Sequence, residues 1–223
     1  METVLITGAG KGIGEALADK FLSEGWFVLG AYHGAEPAPR KNLLYFPLDL
    51  SSPKSIAECT QAIKETGKTI SVVINNAGVL LDEEETKVVI EKLRQTLEVN
   101  LIGTIAFTER LISLISSGGH IINISSTAGS LGLAINSISH FPNHYPAYKI
   151  SKTALNMYTR TLATRLKDQN VTVSSVHPGW VRTEMGGPEA DISSEEAAKY
   201  IYEFATTSPE TGEFWFKGEK LQW

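Results

Sequence analysis

The chain has 223 residues, a formal net charge of −5, and a composition that is 42% hydrophobic and 20% charged. A chain of this length can bury a core without covalent staples, and its acidic balance argues against a nucleic-acid groove, which carries a basic excess. The one cysteine, Cys59, excludes an intrachain disulfide. No apolar run approaches the roughly 18 residues of a membrane span, and no basic segment followed by an apolar one opens the chain; the expected compartment is a reducing cytosol, with neither nucleic acid nor membrane as partner.

Residues 3–7 are a short β-rich apolar run that reads as a buried strand. The glycine-rich stretch TGAGKGIG follows, then helical periodicity over 15–24, a stop at Gly25, and a second strand over 26–31. Strand, glycine loop, helix and strand in this order open a nucleotide-binding βαβ unit, and amides at a helix start suit a pyrophosphate. Gly8, Gly12 and Gly14 have G-x3-G-x-G spacing, not the G-x-G-x-x-G of the standard dinucleotide fingerprint, so a plain glycine-rich turn is the competing reading. A third strand over 43–48 ends in Asp49-Leu50, and Ser51-Ser52-Pro53 starts a helix that places Cys59 in the core.

A fourth strand over 69–75 runs into Asn75-Asn76-Ala77-Gly78. The acidic run 82–85 reads as the favourable negative start of a helix, whose periodicity continues from Lys87 towards Ser116 and passes Asn100. Gly118-Gly119 breaks it, and a fifth strand over 120–125 ends at Ser125-Ser126. A long connection, 127–146, leads to a helix opened by Pro146. A sixth strand over 171–176, a Pro178-Gly179 loop, a last helix over 193–205 with Ser193 and Glu196 at capping-box spacing, and a final strand over 213–216 complete the chain. Alternating strands and helices imply an α/β fold: a three-layer, doubly wound parallel sheet of about seven strands in one domain spanning 1–223.

In such a sheet, ligands bind beyond the carboxyl ends of the strands, where the glycine loop, Asp49, the Asn75–Gly78 turn, Ser126 and the Pro178-Gly179 loop converge. Two overlapping Tyr-x3-Lys pairs lie nearby, Tyr145 with Lys149 and Tyr148 with Lys152. Pro146 prefers the first helical position and pushes the residue before it out of helical geometry. Only Tyr148 and Lys152 are therefore held one turn apart on one helix face. Lowering a phenol pKa from about 10 to about 7 needs roughly 4 kcal/mol of preference for the phenolate. One cation at about 4–5 Å in an effective dielectric near 20 supplies about that much, so Lys152 alone is expected to suffice. Tyr148 is then a proton donor and acceptor for a carbonyl/alcohol pair, with Ser126 holding the oxygen.

These motifs in this order resemble the short-chain dehydrogenase/reductase family over almost the whole chain. The segment from HPGWVRTEMGG to GEFWFKGEKLQW is similar to the branch of C-factor-like and sniffer-like carbonyl reductases. The resemblance implies Ser126, Tyr148, Lys152 and Asn100 as catalytic residues, Asn100 serving a proton relay behind Lys152. Ser126 is preferred to Ser125 because the family's serine stands three residues before a glycine, here Gly129. Cofactor contacts implied are Gly8, Gly12, Ile13 and Gly14 in the loop, Asp49 at the adenine, Asn76, Ala77 and Gly78 on the adenosine side, Thr183 at the carboxamide and Lys152 at the nicotinamide ribose, with Leu50, Tyr148, Pro178, Gly179 and Val181 as further contacts. Tyr145 and Trp180 are candidate substrate contacts on the loops 127–146 and 180–192. The activity implied is NAD(P)(H)-dependent interconversion of a small carbonyl compound and its alcohol. A cofactor-binding regulator with incidental catalysis is the alternative, which the complete Ser126, Tyr148, Lys152 and Asn100 set argues against.

Two departures from the family pattern matter. The connection between Ser126 and Tyr148 has 21 residues, longer than in many relatives. The extra residues, around 136–143, fall beside the pocket and near a common dimer face, leaving monomer, dimer or tetramer open. The second strand ends without the aspartate that NAD-preferring relatives place near Tyr32, whereas Lys11 and His33 stand where a 2′-phosphate would lie. NADP(H) is therefore favoured over NAD(H). His140 and His144 have the spacing of helical metal ligands, but Pro142 lies between them and no carboxylate or cysteine joins them; no metal is expected.

Overall fold

Thr3–Thr7 forms β1, buried along its whole length. Its side chains alternate between the two faces of a sheet, as strand geometry requires: Leu5 joins one hydrophobic cluster, Val4 and Ile6 the other. The computed structural model describes residues 1–133 and 143–223. Among these, β2 (Phe27–Tyr32), β3 (Leu43–Pro47), β4 (Ile70–Asn75), β5 (Ile115–Ile124), β6 (Thr172–Val176), β7 (Phe214–Phe216) and β8 (Glu219–Lys220) join β1 in one sheet of order β3-β2-β1-β4-β5-β6-β7-β8. All pairs are parallel except β7 with β8. The two-residue β8 takes the sheet from the expected seven strands to eight; so short a strand carries no periodicity to read.

Helices cover both faces. Ala16, Leu17 and Phe21 of α1 (Gly12–Ser23) and Ile201 and Phe204 of α6 (Ser194–Ala205) pack on one face. Residues of α2 (Pro53–Glu65), α4 (Thr104–Glu109) and α5 (Pro146–Leu166) pack on the other. Cys59 of α2 is in this second layer, 3% exposed, and burial pushes its thiol pKa up to about 12. The chain moves outward from β1 through β2 to β3, then returns to β4 on the other side of β1. That reversal opens a crevice at the carboxyl ends of β1 and β4, the place where open α/β sheets bind ligands. Among the described residues no helix is long and apolar enough to cross a membrane.

Three local expectations are corrected. The acidic run 82–85 starts no helix: α3 begins later, at Ile90–Leu97, and Asp82 is 1% exposed with its carboxylate on the backbone of α5. The expected long helix over 87–116 is broken into α3, a π-helical turn at Glu98–Gly103, α4 and a 3-10 turn at Ile112–Leu114. The fifth strand starts at Ile115, not at residue 120, and absorbs Gly118 at φ 82° with a register shift against β4. At the start of α5, Pro146 occupies the first turn as expected, and Tyr145 stands before the helix in the left-handed region (φ 47°, ψ 54°). That is a strained conformation for an aromatic residue.

Candidate active site

β5 delivers Ser125 and Ser126 to the carboxyl edge, and the fold gives them different work. The Ser125 hydroxyl, fully buried, donates to Asn156 Oδ1 at 2.6 Å. Ser126 has extended backbone and accepts from the Ala128 amide at 3.1 Å, starting the 3-10 turn Thr127–Gly129. A Cβ on Gly129 would lie 2.6 Å from the carbonyl carbon of Lys152. The glycine thus lets the turn rest directly on the α5 backbone, with Ser126 and Tyr148 lining the same cavity.

Tyr148 is the third residue of α5 and is half-buried at a cavity wall. Lys152, 4% exposed, lies one turn on, its Nζ 5.5 Å from the Tyr148 ring centre and donating to the Ile124 carbonyl at 2.8 Å. Burial pushes the Tyr148 phenol up to about 12, opposed by the Ser126 hydrogen bond and reinforced by Tyr145. Burial likewise pushes the Lys152 ammonium down to about 8. Both shifts run against the expectation that Lys152 alone brings Tyr148 to neutrality. Burial penalises the charged form of each group. Tyr145 and Lys149, whose pairing helix geometry does not enforce, also meet, by the ring face: Lys149 Nζ is 4.9 Å from the Tyr145 ring centre. The Tyr145 ring stands edge-on to Tyr148 at 6.0 Å.

Asn100 is 1% exposed inside the π-helical turn, a geometry frequent at functional sites. Its amide clamps Val79, accepting from the Val79 N–H at 2.7 Å and donating to its carbonyl at 2.9 Å, and donates to Ser151 Oγ at 3.1 Å. A Cβ on Gly78 would lie 3.2 Å from Asn100 Oδ1 and 3.6 Å from Lys152 Nζ, so these three positions are neighbours.

The glycine loop lies at the β1 edge of the crevice. Lys11, preceding α1, has extended backbone and makes no side-chain cap, which leaves the first amides of this twelve-residue helix without a capping side chain. Gly14 sits where a Cβ would be 2.1 Å from the Gly8 carbonyl oxygen. Thr7 Oγ1 accepts from the Asn76 and Ala77 amides at 3.0 Å each, locking the Asn76–Gly78 turn to β1. Asp49 accepts from the Ser51 hydroxyl and amide, which lower its pKa, with a smaller contribution from nearby His33. Lys11 does not share this neighbourhood with His33 in any contact described: it pairs with Glu184, both residues being exposed. An uncapped helix start, a glycine loop and a polar turn fit a dinucleotide.

The cavity has a volume of about 540 Å³ and collects Ile13, Ser126, Tyr148, Pro178, Gly179, Val181 and Thr183 with both candidate substrate contacts, Tyr145 and Trp180. Trp180 is fixed by an indole bond to the Gly186 carbonyl at 2.8 Å. Sequence reading missed Leu80, Glu83, Met185, Phe216 and Leu221 on the same wall. Phe216 and Leu221 arrive through the β7–β8 hairpin, which no local motif announces. Of the histidine pair, His140 lies outside the described residues, and His144 Nδ1 contacts the Glu83 carbonyl at 3.1 Å.

The model of the short chain dehydrogenase family matches residues 2–193. The chain belongs to that family. Among curated short-chain dehydrogenases, it is 29% identical over 221 residues to the short-chain dehydrogenase anuI of Penicillium roqueforti, covering 91% of this chain and 88% of the relative. It is also 29% identical to the 1-hydroxy-2-glutathionyl-2-methyl-3-butene dehydrogenase of a Rhodococcus species, over the full length of both. Among solved structures it superposes on the NADPH-bound carbonyl reductase from chicken fatty liver with a TM-score of 0.90 and 25% identity, covering 100% and 99% of the two chains. Its likeness to the carbonyl reductase Sniffer of Drosophila melanogaster has a TM-score of 0.89 and 26% identity over the whole of both chains. The resemblance to the sniffer-like branch is thereby borne out, and the chain is an oxidoreductase of the short-chain dehydrogenase type.

Proposed function

We propose that this short-chain dehydrogenase reduces a bulky, largely apolar aldehyde or ketone to its alcohol with NADP(H), or runs the reverse. The observation that carries the reading is Ser126 and Tyr148 together on the cavity wall, with Lys152 beneath the Tyr148 ring. When bound, the nicotinamide supplies or accepts the hydride. Ser126 orients the carbonyl oxygen. Tyr148 gives its phenol proton to the oxygen as charge develops. Lys152 stabilises the phenolate left behind and holds the nicotinamide ribose. Asn100 fixes Val79 and Ser151 around the inner end of Lys152, the side from which a proton is returned.

On this reading the amides of Gly12, Ile13 and Gly14 hold the pyrophosphate, with Gly8 permitting its approach. Asp49 and Leu50 border the adenine, and Asn76, Ala77 and Gly78 the adenosine side. Pro178, Gly179, Val181 and Thr183 border the nicotinamide. Lys11 and His33 take the 2′-phosphate, Lys11 by exchanging Glu184 for it. The segments 127–146 and 180–192 select the substrate, with Tyr145 and Trp180 as contacts; the apolar wall of Leu80, Met185, Phe216 and Leu221 supports the choice of a bulky apolar compound.

NADPH oxidation by the purified protein over a panel of aldehydes and ketones tests this. Turnover is expected, and Tyr148→Phe should bind NADPH normally yet lose turnover. Cofactor binding without turnover on any member favours a regulator instead.

A further inference from the structure

We propose that Asp82 is a positioning residue that seats the acid/base tyrosine against the cofactor turn; the proposal rests on the reading of Tyr148 given above. The start of α5 has an unusual account of backbone donors. Its cap residue, Tyr145, offers no side-chain bond to the helix, and Pro146 has no N–H. Lys149 N–H makes the first intrahelical bond, to the Tyr145 carbonyl at 3.1 Å. The orphan donors are thus the amides of Ala147 and Tyr148. Asp82 serves both, Oδ2 accepting from Ala147 at 2.6 Å and Oδ1 reaching Tyr148 at 3.4 Å. The Tyr145 amide donates to the Glu85 carbonyl at 3.0 Å, so a strap from 82 to 85 answers every one of these donors.

An ordinary cap is local, a Ser, Thr, Asn or Asp at the residue before the helix. Here the carboxylate comes from 65 residues away in sequence and is 1% exposed. Burying a carboxylate is costly unless donors surround it, and a local cap would satisfy the same amides without that cost. What the distant cap adds is a link: the strap follows directly on the Asn76–Gly78 turn, whose next residue, Val79, is clamped by Asn100. One continuous segment therefore contacts the cofactor turn at one end and the Tyr148 amide at the other. It fixes the depth at which the phenol enters the cavity.

The test compares Asp82→Ala with Asp82→Asn, which retains a cap acceptor. Amide hydrogen exchange is read at residues 147–148, and kcat at saturating carbonyl and NADPH is corrected for folded fraction. Asp82→Ala should exchange at least about fivefold faster there and lose about 10²-fold in kcat, with NADPH affinity unchanged. Asp82→Asn should recover most of kcat. Unchanged exchange, or a kcat that falls only with the folded fraction, overturns the proposal; equal loss in both variants overturns it in favour of a charge effect. A wild type inactive on every carbonyl refutes the proposed reaction, and the exchange measurement then decides the cap by itself.

Discussion

Lys152 Nζ donates a hydrogen bond to the carbonyl oxygen of Ile124 at 2.8 Å. This fixes the ammonium beneath the Tyr148 ring in a buried site that lowers its pKa to about 8. Below about 8 the site holds an ammonium, and above it a neutral amine that no longer stabilises a phenolate. The rate of carbonyl reduction should fall as pH rises through about 8, well before the ordinary lysine range near 10.4. A kcat/KM profile between pH 6 and 10.5 measures this; a flat profile to pH 10 contradicts the assigned role. Lys152→Met should be slow at every pH.

Gly129 offers a geometric test of the serine. An alanine there would press into the Lys152 backbone, and relief requires the 127–129 turn to lift away from α5. Overpacking of this kind costs about 1–3 kcal/mol. The displacement separates Ser126 from Tyr148, and a misplacement of about 1 Å is worth on the order of 10²-fold in rate. Gly129→Ala should therefore fold, with a lower melting temperature, and lose far more turnover than stability. Wild-type kcat in a folded Gly129→Ala protein would show that the contact does not matter.

His120 predicts the response to acid. It is 3% exposed, with Nε2 2.9 Å from Ser174 Oγ, and burial lowers its pKa from 6.5 to about 4. The folded protein holds it neutral, while the unfolded chain takes up a proton below 6.5. Its contribution is present above 6.5 and is lost as pH falls towards 4, about 3 kcal/mol over that window. Urea unfolding at pH 7 and pH 4.5 should show a smaller loss for His120→Gln than for the wild type. Parallel losses would exclude this histidine as the cause.

The exposed pair of Lys11 and Glu184 bears on cofactor choice. Lys11→Ala should weaken NADPH binding about tenfold, the scale of one charge-assisted contact, and leave NADH nearly unchanged. Glu184→Gln should strengthen NADPH at low salt by removing the competitor. Fluorescence titration with both cofactors decides it: a wild type that prefers NADH, or an unchanged NADPH affinity in Lys11→Ala, refutes the assignment.

Features written locally were legible in the chain. Pro146 marks the start of α5, Ser193 and Glu196 form the capping box at the start of α6, and the glycine loop sits between β1 and α1. Features that depend on distant partners were not. Asp82 reads as a helix start because Asp-Glu-Glu-Glu favours one, and nothing local says that its partner is an amide 65 residues on. The π-helical turn around Asn100 needs only one extra residue in a helical run, which leaves the apolar period nearly intact. Tyr148 and Lys152 were separable from Tyr145 and Lys149 because proline geometry is local. Their pKa balance was not, because it depends on how much water the fold excludes.

The state of Cys59 has a practical side. A buried thiol held near pKa 12 is almost entirely protonated at pH 7 and a poor nucleophile, and the chain has no other cysteine. The protein is thus already silent towards thiol-directed dyes without mutation. A cysteine introduced at Met157, 65% exposed on α5, would be the one group a maleimide finds, and a single attached fluorophore would report encounters on that face between copies of the chain.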